Sequence, residues 1–416
     1  VAGSGGLTGF VLLRARAHRL LLAAALLTVL LTTAVLAALA AYAGAIGDAS
    51  LRHALADPRN AADTALIVKA DVPEGGRDEA DATVRRGARA AFGGLPVTVR
   101  PLTRSGPYAL PDALRPRGER SGDNPDLTYF AALDPAQVRI TEGRMPREGG
   151  PVTEVALPTA VAERLGVRTG TRLTLTDRFD GPAVRIRVTG LYRPAEAASP
   201  YWRLDELGGR GIERGGFTTY GPLLAAPGAL TGGRVSAGPS GWLATADFST
   251  VTAGRTDALR GAARDGVAWL RGRPVLSGAT AVDTSLPEVL DRLDRSLLVA
   301  RSTLLVVALQ LALLAGCALL LVARLLTAER AGELRVLRAR GASRARLGRL
   351  AALEALLLAV PAVVCAPLLA GPLTRLLAGQ GALARIGLRP EVPALGGTGV
   401  WLVTGAAALG CALAVT

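Results

Sequence analysis

LLLAAALLTVLLTTAVLAALAAYAGAIG, residues Leu20–Gly47, contains no charged side chain. A helix rises about 1.5 Å per residue and the hydrocarbon core of a bilayer is about 30 Å thick, so about 20 such residues cross it. The apolar core of a cleavable export signal is only about 7 to 15 residues long, so this run reads as a retained anchor. Three more uncharged runs of membrane-spanning length follow, Ser302–Ala323, Ala355–Thr374 and Val392–Thr416. The first two of the four runs bracket a large polar segment. The expected fold is an α-helical transmembrane protein with four membrane helices and a large α+β extracytoplasmic domain between the first and second.

The arginines set the orientation. The chain carries +14, yet Asp48 to Val299 holds 33 basic and 30 acidic side chains. The surplus lies at the membrane edges, with Arg14, Arg16 and Arg19 before the first run and eight arginines against Glu329 and Glu333 between the second and third. Positive flanks stay in the cytoplasm, which places the polar segment outside a plasma membrane crossed several times. The expected order is a cytoplasmic segment 1–19, a membrane helix 20–47, an external domain 48–284, a stalk 285–301 and a membrane helix 302–323. A cytoplasmic segment 324–350, a membrane helix 351–374, an external loop 375–391 and a run 392–416 that stops inside the membrane complete it.

The same map excludes several kinds of chemistry. The charge excess lies at bilayer boundaries rather than on a soluble face, so a nucleic-acid partner is not expected. A phosphate-binding loop needs a lysine after its glycines, and the chain's one lysine, Lys69, stands in LIVKAD. ATP hydrolysis therefore has to come from another chain. The three cysteines, Cys317, Cys365 and Cys411, all lie in membrane runs, and the two histidines, His18 and His53, flank the first. No zinc set and no Ser-His-Asp site follows from these positions, so neither a catalytic residue nor a metal or cofactor is expected. The glycines at 208, 209, 211, 215 and 216 lack dinucleotide-loop spacing and read as a surface loop.

The external domain reads as mixed α and β. Strands are expected at 64–70, 95–102, 173–175 and 184–194, the last with Val184, Ile186 and Val188 on one face, and helices at 79–92 and 256–271. Thr159 is expected to cap a short helix with Glu163 reaching back, and Gly166 to end it in the left-handed conformation. Residues 103–126 read as a loop and 195–240 as irregular. Tyr201, Trp202, Phe217 and Tyr220 in that irregular part form either a satellite core under long loops or an exposed contact surface.

Two segments look mechanical. From Ser285, Leu286, Leu290, Leu293 and Leu297 recur at steps of four, three and four and run unbroken into the second membrane helix. Such a stalk either transmits movement or packs its leucine seam on the base of its own domain. The cytoplasmic segment reads ERAGELRVLRARGASRARLGRLAALEALLLAV from Glu329 to Val360. Leu334 and Leu337 give its helix an apolar side, Gly341 breaks it and Ser343 caps the next, and the short amphipathic helix is expected at the inner surface. Glu354 brings a carboxylate to the membrane entry, where it needs a partner.

With those residues in view, the sequence resembles the FtsX-like and MacB-type permeases of ATP-binding-cassette transporters, which include the cell-division, macrolide-efflux and lipoprotein-releasing permeases. The resemblance is carried by Glu333, Leu334, Leu337, Arg338, Gly341, Ala342 and Ser343, by Glu354, and by one helix, a large external domain and three helices in order. Residues Gly143–Pro194 are similar to the periplasmic core domain of that family. The resemblance implies a cytoplasmic P-loop ATPase docked on the coupling segment. It also implies a second permease module, either another copy or a downstream half of the same chain. ATP use would then move the external domain to drive export or lipid and lipoprotein handling. The alternative is a membrane-tethered regulator that activates an extracytoplasmic cell-wall hydrolase.

Overall fold

A computed structural model describes residues 19–72, 75–115, 125–179 and 181–339, with single positions 360, 364, 365, 369 and 372. The expectations on residues 1–18, on Gly341, Ala342, Ser343 and Glu354, and on nearly all of the last two membrane runs lie outside the described residues. The chain divides into two compact units, one of residues Ala54–Arg292 and one of residues Val1–His53 with Leu293–Thr416.

In the first unit, the topology begins from four strands and two helices. Strand β1 (Leu66–Asp71) leads through helix α2 (Arg77–Ala91) to β2 (Val97–Ser105). Much later, β11 (Ala237–Ala246) leads through α5 (Thr256–Arg271) to β12 (Gly278–Thr284). These strands lie in the order β12-β1-β11-β2, each antiparallel to its neighbour. A βαββαβ chain in the order four-one-three-two is the ferredoxin-like split βαβ arrangement. Its sheet is covered on both faces, which is why β1 reads as a near-continuous apolar run.

On one face lie α2 and α5, whose buried stripes include Val84, Ala88 and Ala91 on the first and Leu259, Ala263, Val267 and Leu270 on the second. The helices meet closely at two glycines. A Cβ on Gly87 would stand 2.4 Å from Leu270, and one on Gly266 would stand 2.5 Å from the Ala91 backbone. Gly266→Val should therefore cost about 3 kcal/mol, since the Ala91 main chain cannot rotate away as a side chain could. A denaturant melt of the protein in detergent checks this. A loss under about 1 kcal/mol would show that the crossing has slack.

The other face is covered by a 3₁₀ turn, Pro200–Leu204, whose Tyr201, Trp202 and Leu204 cluster with Ile67, Leu102 and Leu243. The satellite-core reading therefore holds for Tyr201 and Trp202. Tyr220 is fully buried in a different core, and Phe217 is the exposed member of the four.

Between β2 and β11 the chain inserts β3 (Tyr108–Ala109), β4 (Leu127–Leu133), β5 (Val138–Gly143), β6 (Thr153–Pro158), β7 (Arg172–Asp177), β8 (Val184–Pro194), β9 (Ile212–Arg214) and β10 (Thr218–Ala225). The pairings β4-β3-β7-β8-β6-β10 return to β4 through a parallel β10–β4 ladder, which closes a six-stranded ring. Its interior is filled by alternating side chains, Leu175 from β7, Val184, Ile186 and Val188 from β8, and Phe130, Val155 and Tyr220 from neighbouring strands. The stretches read as loop and as irregular thus contain strands, β3 in the first and β9 and β10 in the second. The signal was weak because β3 is two residues long and β10 is interrupted by Gly221 and Pro222.

Helix α3 (Thr159–Leu165) ends as expected, with Gly166 at φ 65°. Its expected capping box does not form. The Thr159 hydroxyl donates to the Tyr192 carbonyl at 3.1 Å and Glu163 lies 4.0 Å from Arg193, so a strand across the helix takes both groups. A five-residue helix, α4 (Pro227–Thr231), follows β10.

The second unit contains most of α1 (Arg19–Ala56) and of α6 (Leu286–Ala339). Helix α1 buries Val29, Thr33, Ala34, Ala37 and Ala38, and the Thr33 hydroxyl donates to the Val29 carbonyl at 2.7 Å, which satisfies it within the helix. Among the described residues α1 is the helix long and apolar enough to cross a membrane, over Leu26–Ala56, while α6 holds the shorter apolar stretch Leu305–Ala318.

Candidate functional site

The expected stalk and the start of the expected coupling segment lie on one helix. Helix α6 runs 54 residues without interruption, a rise of roughly 80 Å. It takes in Leu286, Leu290, Leu293 and Leu297 at one end and Glu333, Leu334, Leu337 and Arg338 at the other. The amphipathic helix expected at the inner surface is thus no separate element as far as Ala339, because nothing between Ala323 and Ala339 breaks a helix: the stretch holds no proline, and Gly332 stands alone among strong helix formers.

At its start α6 is built into the unit of residues Ala54–Arg292. The Thr284 hydroxyl accepts the Leu286 N–H at 3.3 Å, and Pro287 sits in the first turn where no partner for its nitrogen is needed. Leu286, Val289 and Leu290 are 0%, 2% and 0% exposed, each such side chain contributing about 2 kcal/mol of burial. The Asp291 carboxylate reaches off the helix to the Arg260 guanidinium of α5, 2.7 Å away, and Arg260 also holds Asp257. Leu293 and Leu297, further along, are only half-buried. The two readings of the leucine seam therefore divide along its length. Its first turns are packed on the domain, and the later leucines are less buried.

The βαββαβ sheet and the ring are joined by shared backbone and by one buried polar cluster. Strand β4 pairs with β2 through Leu133, Ala132 and Ala131, and further along the same edge with β3. On β4 the Tyr129 hydroxyl donates to the Asp205 carboxylate, which also accepts the Gly209 N–H at 2.8 Å. The Arg104 guanidinium lies 5.1 Å from the centre of the Tyr129 ring and 2.6 Å from Glu206. Burial pushes Asp205 above the usual carboxylate range, against the pull of its hydrogen bonds from Tyr129 and Gly209. Burial, with Asp205 beside it, also pushes the Tyr129 phenol up.

A raised carboxylate contributes stability fully below its ordinary value near pH 4 and loses it as the pH rises through the folded value. Asp205→Ala strands a buried hydroxyl and should cost about 3 kcal/mol, Tyr129→Phe less, and the double variant less than the sum. Chemical denaturation of the four proteins checks this, and strict additivity would contradict it.

No group of three or more His, Cys, Asp or Glu suited to a metal occurs among the described residues. Exposed clefts are present. One of them, about 340 Å³, is lined by Arg147, Glu148, Glu154, Gly228 and Arg234 among others. Its carboxylates are committed, Glu154 to Arg144 at 2.6 Å and Glu148 to the Gly228 N–H at 2.8 Å. The Arg144 guanidinium holds Glu154 down at about 2. These groups brace the β5–β6 loop. Sequence reading missed both this brace and the Tyr129–Asp205 pair, because the Glu148–Gly228 and Tyr129–Asp205 contacts join residues far apart in the chain and the Arg144–Glu154 pair spans a loop with no helical spacing to mark it.

Residues 305–416 match the family described as FtsX-like permease C-terminal. No curated protein matches the chain.

Proposed function

We infer that this chain is a membrane permease of the ATP-binding-cassette kind, a reading that the match of residues 305–416 to the FtsX-like permease C-terminal family supports at a coarse level. Permeases of this family normally work with a cytoplasmic ATPase and are generally not themselves enzymes. We propose that this chain is the permease subunit of a mechanotransmitting transporter, in which a separate P-loop ATPase moves the external domain for export or for lipid and lipoprotein handling. The external domain then belongs with the periplasmic core domains of MacB-type permeases, and four helices cross the membrane with the N-terminus inside.

The observation that carries this reading is the unbroken α6, which joins the expected ATPase-coupling residues to a start fixed in the external domain. A helix is the stiffest connection a single chain provides, since each turn is tied by main-chain hydrogen bonds. In this reading, displacement at Glu333, Leu334, Leu337 and Arg338 is carried along α6 toward Leu286. The same proposal takes in Gly341, Ala342 and Ser343 as ATPase-coupling residues and Glu354 as a membrane-entry carboxylate that needs a partner.

Scrambling Leu334–Ser343 at constant composition tests this. The account expects the permease to stay in the membrane, to lose co-purification of a P-loop ATPase and to lose ATP-dependent function. Retention of both would remove the coupling role from this segment.

A further inference from the structure

The cleft of about 340 Å³ between the β5–β6 loop and α4 is tied across at two points. Glu148 from the loop accepts the Gly228 N–H at 2.8 Å, and Arg234 donates back to the Gly150 carbonyl at 2.7 Å. Glycine is required at the first tie, since a Cβ on Gly228 would stand 2.8 Å from the Glu148 carboxylate. The two walls are therefore held to each other with space between them, and the volume falls in the range of a small-molecule site.

Charge gives that space a sign. Both carboxylates in its lining are engaged, Glu154 by Arg144 and by the Arg147 N–H at 2.9 Å, and Glu148 at Gly228. The Arg147 guanidinium is exposed and, among the described residues, has no hydrogen-bond or ion-pair partner. Arg234 uses one nitrogen on Gly150, which leaves the rest of a five-donor fork.

The strands beside the cleft add to the excess. In the parallel β6–β8 ladder Arg187 stands next to Glu154, and across the antiparallel β7–β8 ladder it stands directly opposite Arg172. Both arginines are exposed, and neither has an ion pair or side-chain hydrogen bond among the described residues. Like charges directly opposite on a sheet destabilise it, and an anion between them relieves that repulsion.

We propose that this cleft binds a small phosphate-bearing molecule, its phosphate taken by Arg147 and Arg234 at a rim made more positive by Arg187 and Arg172. A phosphate monoester suits this rim better than a carboxylate, because it brings about two negative charges and three acceptor oxygens to several guanidiniums. The rest of the ligand is short and polar. The apolar lining is Val152 with two alanines, too little to cover an acyl chain. A glycerol phosphate group matches that size, either free or as the headgroup of a lipid. The cleft lies within the unit Ala54–Arg292, so the proposal stands apart from the coupling role of α6.

The test is calorimetric titration of the full chain in nanodiscs of phosphatidylcholine, which carries no net charge. The probes are sn-glycerol 3-phosphate and dihexanoyl phosphatidic acid. Saturable binding is expected, of the first where the ligand is soluble and of the second alone where it is a lipid headgroup. Arg147→Gln and Arg234→Gln should each weaken it at least tenfold, and Arg147→Lys less, because the charge stays while the fork is lost. Arg89→Gln, on the exposed side of α2, should leave it unchanged, and acetate should not bind measurably. The proposal is overturned by the absence of saturable binding of either probe, or by binding that both cleft variants leave intact. An equal loss with Arg89→Gln, or acetate bound as tightly as the phosphate, would overturn it as well.

Discussion

Leu298→Pro is expected to leave the permease folded and in the membrane but to reduce ATP-dependent function at least tenfold. A proline inside a helix removes one main-chain hydrogen bond, clashes with the carbonyl four residues back and costs about 3 kcal/mol, so α6 kinks where it must stay straight to act as a lever. Residue 298 is 62% exposed and lies beyond the buried start of the helix, so the core of the β-rich domain loses no packing. ATP turnover by the partner ATPase should persist, detached from movement outside. Leu298→Ala keeps the helix and should behave as the parent protein. The measurement is ATP hydrolysis and transport in proteoliposomes that contain the permease and its ATPase. Normal transport by the proline variant would show that continuity of α6 is not what transmits force.

Leu290→Asp is the change expected to cost most in stability. The side chain is 0% exposed on the same helix, and its place among Leu286 and Val289 offers a carboxylate neither water nor a hydrogen-bonding geometry suited to it. Losing the burial and introducing an unpaired charge together should cost about 5 kcal/mol, the upper range for a single substitution. The start of α6 should then detach, with Arg260 and Asp291 exposed. Protease cleavage between β12 and α6, absent in the parent protein, is the expected sign, and Leu290→Met should be nearly silent because it conserves volume. A Leu290→Asp protein with parental protease resistance would mean that the external domain does not hold the helix at this seam.

These two predictions treat one helix from two sides, and the sequence made its two ends unequally legible. The leucine steps from Leu286 and the lack of a break before Ser302 foretold a continuous stalk, because a helix is specified locally by spacing and by the absence of glycine and proline. Strand β8 and helices α2 and α5 were legible for the same reason, each with a clean period of two or 3.6 and a glycine or turn near its end. The seam's division into a packed start and a less buried remainder was not legible, since the leucines at 286 and 297 are the same residue type and only tertiary contact separates them.

The closed ring was also out of reach. Its closure depends on a two-residue strand and on a parallel ladder between β4 and β10, which are far apart in sequence. The Thr159 cap failed because a hydroxyl with the right spacing found a better acceptor on a neighbouring strand, at the Tyr192 carbonyl. Local pattern stated what each segment preferred, and long-range pairing decided between preferences.

The central claim is that α6 ties an external domain to an ATP-driven partner in the cytoplasm. Its most direct test is a photoreactive residue in place of Arg340, the position after the last residue of the described helix, with irradiation in native membranes and mass spectrometry of whatever is captured. Capture of a P-loop ATPase, lost when Leu334–Ser343 is scrambled, is the predicted result. Capture of lipid alone at a verified expression level would contradict the account and leave the external domain without its motor.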